Sequence, residues 1–255
     1  MDNLLYFLLT NIISLLSLIT LIVLIVIHIV KKTGFKVIDY LAVLICFIGM
    51  YLYIPALLVA WGFNYQNPEC LEKALKLSIN PYEKRLCNKY LAEIYAADIF
   101  NQRIKDGNKA IDYMEKALKG EYEKYVVETT MLAHWYSLKG DYKKTEDLNK
   151  NLKINALALR NIYITNNEYQ KAIDTFSEKN KGVENFLKAD LYKKIGNTEK
   201  SKEALKIAQD AYKKQISSYN TASDKLKYEE YIAKYKSVEA YKSWLNTMRK
   251  EFKFD

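Results

Sequence analysis

The stretch "LAHWYSLKGDYKKTEDLNKNL" occupies residues 132 to 152 and recurs along the chain in altered form. We set it beside "LAEIYAADIFNQRIKDGNKAIDYMEKALKG" (91–120), "LRNIYITNNEYQKAIDTFSEK" (159–179) and "KADLYKKIGNTEKSKEALKIA" (188–208). A small or aliphatic pair comes first. An aromatic follows four residues after its start, at Tyr95, Tyr136, Tyr163 and Tyr192. A turn comes next, then a small residue early in a second amphipathic stretch: Ala110, Thr145, Ala172 and Ser201, spaced by 35, 27 and 29 residues. Each opens an i, i+4, i+7 stripe, of which Ala110-Met114-Ala117 is the most apolar. Such a period predicts stacked helical hairpins, because one hairpin cannot bury its apolar face alone.

The pattern resembles the tetratricopeptide repeat. "SLKGDYKK" (137–144) and "NNEYQKAIDTF" (167–177) match its turn and second helix, while the unit at 91–117, with its longer turn, is more similar to SEL-type repeats. The resemblance covers about residues 68 to 217. It departs from the family in the 27 and 29 spacings, against a usual period of about 34, and at Asn149 and Lys179, where apolar residues are usual. It implies an α-solenoid whose first helices look into a binding groove, lined here by Leu86, Lys89, Glu93, Val127, Thr130, His134, Asn161, Phe186 and Asp190. The plainer alternative is that several of these are merely solvated.

Ahead of the repeats lie two apolar runs, Leu4–Val30 and Leu41–Phe63, each long enough to cross a bilayer as a helix. A cleaved leader fits the first run badly, since no basic residue precedes it and it is too long. Between the runs, "IVKKTGFKVIDY" (29–40) carries Lys31, Lys32 and Lys36. Short Lys-rich loops stay in the cytoplasm. The expected arrangement is therefore a two-pass membrane protein with its N-terminus and C-terminal domain outside the cytoplasm, periplasmic or extracellular. Trp61, Phe63 and Tyr65 would form an aromatic belt. With inverted topology the chain would be a cytoplasmic adaptor. Small residues share a sector on each helix: Thr10, Ser14 and Ser17 on the first, and Ala42, Cys46, Gly49, Ala56 and Ala60 on the second. Such faces let membrane helices approach closely, within this hairpin or against another membrane protein. His28 is expected to reach the interface near Lys31.

The expected organisation is a membrane hairpin (1–63), a solenoid (64–217) and a closing helix (218–255), all-α throughout. Eight Gly and three Pro in 255 residues favour long helices. Asn67-Pro68-Glu69 and Asn80-Pro81-Tyr82-Glu83 read as helix starts, the second as a capping box. They fold helices of about 68–78 and 81–98 into a pair that brings Cys70 near Cys87. A disulfide is geometrically admissible there, with two buried thiols as the alternative. At the end, Tyr228, Ile232, Tyr235, Val238, Tyr241, Leu245, Met248 and Phe252 mark one face of a single helix of about 28 residues, starting at Thr221. It either caps the solenoid or docks Trp244, Leu245, Met248 and Phe252 on a partner or on anionic lipid.

All but three of the 39 Lys and Arg, and all but two of the 30 Asp and Glu, follow residue 63, and the chain is basic at +9. That charge attracts acidic partners, but acids and bases are evenly mixed and the expected location argues against nucleic acid. No phosphate loop, nucleophile elbow or metal-ligand spacing occurs. His28 and His134 are the only histidines, and adjacent Glu229 and Glu230 point about 100° apart on a helix. The expectation is no enzyme and no cofactor. The role expected is a protein-binding scaffold or assembly factor for an envelope protein complex, in contact with the lipid bilayer. The alternative is an assembly chaperone acting within the membrane.

Overall fold

The computed structural model of the chain describes residues 2–31, 37–96, 106–152, 156–177, 179 and 182–254. Among them are α-helices and no β-strand, as the all-α reading requires. They fall into two compact units: Met1–Lys105 with Asp112–Gly120, and Asp106–Ile111 with Glu121–Asp255.

The first unit holds α1 (Asp2–Lys31), α2 (Val37–Asn64), α3 (Pro68–Leu77), α4 (Pro81–Ala96) and the later turns of α5 (Gly107–Leu118). α1 packs along α2, and α2 packs also on α3 and α4. Large apolar side chains such as Leu16, Ile22, Ile29, Ile45 and Phe47 point outward. Cys46, Gly49 and Ala56 are buried and Ala42 is half-buried, so α2 packs through its small face. Ala60, expected on the same face, is exposed, and Ser17 on α1 is half-buried. Thr10 and Ser14 lie outside the residues whose side chains are described.

Of the two expected spans, one meets the length and composition needed to cross a membrane among the described residues, Asp39–Asn64. Leu15–Ile29 is a shorter apolar stretch. Lys32 and Lys36 lie outside the described residues. His28 Nε2 lies 3.3 Å from Asp39 Oδ2, across from α1 to α2.

The entry to α3 follows the sequence. Asn67 Oδ1 accepts from Cys70 N at 3.2 Å, with Pro68 in the first turn. Gly62 lets α2 approach α3, since a Cβ there would lie 2.6 Å from Leu71 Cγ. At α4 Asn80 caps the helix as expected, its Oδ1 accepting from Tyr82 N at 2.9 Å, but Glu83 reaches back through Ser78 rather than directly. Asn80 N donates to Ser78 Oγ at 3.2 Å, and that hydroxyl donates to Glu83 Oε2 at 2.6 Å. Leu71, Ala74, Leu91 and Met114 form the core. At its edge, Tyr95 and Tyr113 stack at 5.7 Å and both hydroxyls donate to Glu72 Oε1, at 3.4 and 3.1 Å. Of the two alternatives for this pair, the thiols are found: Cys70, half-buried, and Cys87, buried, are not bonded to each other. Burial, with the Glu83 charge adding to it, pushes the Cys87 thiol up to about 12.

The second unit contains three helical hairpins: α6 (Val126–Lys139) with α7 (Tyr142–Leu152), α8 (Ala156–Thr165) with α9 (Tyr169–Asp174), and α10 (Asn185–Lys194) with α11 (Thr198–Ser217). Their turns are equivalent. Gly140, Asn167 and Gly196 take positive φ, at 90°, 61° and 77°, the left-handed step that ends a helix. The next amide, of Asp141, Glu168 and Asn197, donates to the carbonyl of Tyr136, Tyr163 and Tyr192, at 3.0, 2.8 and 2.9 Å. These are the recurrent tyrosines of the sequence pattern. The small residues sit where the paired helices meet: Thr145 and Ala172 are fully buried, and Ser201 Oγ donates to Ala189 O at 2.8 Å.

Two expectations fail in this unit. The second helix from Ala172 was expected to carry a stripe to Lys179, but α9 stops at Asp174. Thr175 Oγ1 turns back to Ala172 O, and Arg160 donates to Thr175 Oγ1 at 3.0 Å. The single 28-residue terminal helix is two helices, α12 (Ala222–Ala233) and α13 (Val238–Glu251). Ser237 breaks it by capping α13, its side chain accepting from Ala240 N at 3.0 Å. Thr221 does start α12.

Candidate binding surfaces

In the second unit α13 packs against α6, α8 and α10, the first helix of each hairpin. It thereby covers positions that the repeat resemblance assigns to a groove. Asp190 Oδ2 on α10 accepts from Val238 N at 2.8 Å. Asn161 on α8 is fully buried. Its Oδ1 accepts from Tyr241 OH at 2.7 Å and its Nδ2 donates to Ser137 Oγ on α6 at 3.0 Å. Arg249 closes the far end: Nε donates to Leu138 O at 2.6 Å, at the carbonyl end of α6, and Nη2 to Tyr142 OH at 3.2 Å. A guanidinium at a helix C-terminus meets both orphan carbonyls and the negative end of the dipole.

The apolar side chains of α13 and the residue after it, Val238, Tyr241, Leu245 and Phe252, are buried. Removing each from water stabilises by about 1.5–3 kcal/mol, so α13 is seated as part of the core. Burial drives the Tyr241 phenol well above its ordinary range.

The expected partner residues therefore separate. Asn161, Leu245 and Phe252 do not line an open surface, because internal contacts consume them. Asp190 is half-buried and caps α13. Val127 is 69% exposed, the most open of the set. Thr130 is half-buried with its hydroxyl donating to Val126 O, and His134, Phe186, Trp244 and Met248 are half-buried. Leu86, Lys89 and Glu93 lie on α4 in the first unit, half-buried, with Lys89 Nζ 3.9 Å from Glu93.

Several polar positions were not legible in the sequence. Arg160 is 5% exposed, lies over the Phe176 ring at 3.6 Å and pairs with Glu184 at 3.2 Å. Its one signal is that it stands where the other repeats carry Ala92, Ala133 and Ala189. A run of rings passes from Tyr212 through Tyr228, Tyr231, Tyr235 and Tyr241 to Trp244, neighbouring centroids 5.2–6.4 Å apart. Two clefts flank it. One, of about 530 Å³, has Tyr219, Tyr228, Tyr231, Asp224 and Lys227 in its wall. The other, of about 420 Å³, is bounded by Glu230, Tyr231, Lys234, Ser243, Trp244 and Thr247. Among the described residues no group of three or more His, Cys, Asp or Glu could hold a metal ion.

Comparison with protein-family models, curated proteins and solved structures yields no match to this chain.

Proposed function

We propose that the chain is a membrane-anchored scaffold of tetratricopeptide-like hairpins, which holds a helical segment of another envelope protein at the membrane surface. The observation that carries this is the seat of α13. The first helices of three hairpins together accept an amphipathic helix, through apolar knobs and a few polar clasps, one of them buried. This is the helix-in-groove mode of recognition. The chain supplies one such helix itself, and a partner adds to the open remainder of the same helices, around Val127 and Phe186. No catalytic constellation enters the reading.

The anchor in this proposal is a two-pass hairpin of α1 and α2, with the 31–36 turn in the cytoplasm and the array outside. Outward aliphatic side chains on both helices and the lysine bias support it. The hairpin would confine the array to the membrane and raise its effective concentration toward membrane partners. A role through the membrane helices alone is less supported, since Cys46, Gly49 and Ala56 are already buried.

A photo-crosslinking residue at Val127 in intact cells tests the scaffold reading. Capture of a discrete membrane or envelope protein supports it, and a product no different from that of an exposed control position such as Lys225 counts against it. Labelling with a membrane-impermeant thiol reagent, at Cys placed in 31–36 or in α11, decides the sidedness.

A further inference from the structure

We infer that the corner between α12 and α13 is an ammonium-binding site of the aromatic-cage type, filled here by the chain's own Lys234, and that its external ligand is a quaternary ammonium. The inference goes beyond the scaffold reading and does not depend on it.

The Lys234 Nζ lies 4.8 Å from the centroid of Tyr231, 5.1 Å from that of Tyr235 and 4.4 Å from that of Trp244. Three ring faces around one cation is the arrangement that recognises choline-type groups. Tyr231 and Tyr235 meet edge to face at 5.7 Å and form two walls, and Trp244 is the third. The back of the cage is rigid. Tyr235 is buried, and Tyr241, packed at a tilt between it and Trp244, is pinned by its hydrogen bond to Asn161. The front is open, because Tyr231 is 49% exposed and the 420 Å³ cleft reaches both Tyr231 and Trp244.

The walls decide the ligand. They are π-faces, and among the described residues no carboxylate lies within ion-pair distance of Lys234, the Glu184 charge acting on it only from farther off. A primary ammonium carries three N–H donors, which such walls leave poorly satisfied. Burial accordingly pulls the Lys234 ammonium below its ordinary range. A quaternary ammonium has no donor to satisfy, spreads its charge over methyl groups that pack against rings, and is attracted by the same ring quadrupoles. It therefore replaces Lys234 at lower cost. The Glu230 carboxylate at the cleft adds attraction for a cation, and the Ser243 and Thr247 hydroxyls can meet a polar tail. Lys234 acts as a ligand in cis, which lowers the apparent affinity by the fraction of time it occupies the cage.

The test is titration of tetramethylammonium chloride into the full chain in a maltoside detergent, followed by calorimetry. Saturable binding is expected, tightened about tenfold by Lys234→Ala, which removes the internal competitor, and abolished by Trp244→Ala. A second measurement needs only the unaltered chain: tetramethylammonium should speed the labelling of the Lys234 amine by an acylating reagent, read by mass spectrometry. Choline chloride and nanodiscs containing phosphatidylcholine or phosphatidylglycerol then separate the two sources of the ligand. Competition by the phosphatidylcholine discs alone marks a lipid headgroup, and binding of soluble choline without it marks a free solute. The inference is overturned if neither the unaltered chain nor a folded Lys234→Ala variant binds, if Trp244→Ala leaves binding intact, or if Lys234 labelling does not change.

Discussion

The hydroxyl of Tyr241 on α13 donates to the side-chain oxygen of Asn161 on α8 at 2.7 Å, with both residues fully buried. Eighty residues of chain separate them. Removing the hydroxyl leaves a buried amide oxygen without its donor, which costs about 1–3 kcal/mol. Tyr241→Phe should lower unfolding stability by that amount. Combined with Asn161→Ala, the two losses should fall short of additivity by about 0.5–3 kcal/mol, since they share one contact. Denaturant titration of the four chains checks both figures.

The hairpin turns offer a graded test. Gly196 and Gly140 both take positive φ, but a Cβ at Gly196 would meet nothing within 4 Å, while one at Gly140 would meet Arg249 Nη2 at 3.3 Å. Gly196→Ala should cost about 1–2 kcal/mol, the strain of the left-handed conformation alone. Gly140→Ala should cost more, because it also displaces the guanidinium that caps α6. Equal thermal shifts for the two would remove Arg249 from that role.

Glu83 gives a pH dependence with a definite sign. Burial holds its carboxyl above the usual range, and the Ser78 hydroxyl pulls it partly back. The folded state therefore keeps this proton when the unfolded state has lost it. Stability from this group is full below the ordinary carboxylate range and falls as pH rises through the raised value. Glu83→Gln should flatten that slope. The difference in unfolding midpoint between the two chains, followed from about pH 4 to 7, should widen in favour of Gln as pH increases.

The Glu72 clasp is readable by absorbance. Burial first, and the Glu72 charge and hydrogen bond next, push the Tyr113 phenol up to about 12. Glu72→Gln should bring it down, yet leave it above the ordinary phenol value of about 10, because the burial remains. A titration that does not move would mean the carboxylate contributes nothing there.

Local features were legible in the sequence because their causes are local. The left-handed turn at Gly140, the Asn67 and Thr221 caps, and the buried positions of Ala110, Thr145 and Ala172 all depend on residues within a turn or two. What escaped depends on distant partners. Asn161 reads as a solvated groove residue until Tyr241 reaches it. The stripe from Tyr228 to Phe252 reads as one helix, because the periodicity continues across Ser237 while the backbone does not. Arg160 escaped notice because its partners, Phe176 and Glu184, lie on other segments of the chain. Leu245 and Phe252 read as a docking edge only while the face they cover is unknown.

Hydrogen exchange of the α13 amides tests the central claim, the seating of that helix across the first helices of three hairpins. Residues 238–251 should be protected to the same free energy as α6, α8 and α10, and Asp190→Ala should release the Val238 amide first. Exchange of α13 at the rate of an isolated helix, with α6, α8 and α10 still protected, would contradict the account.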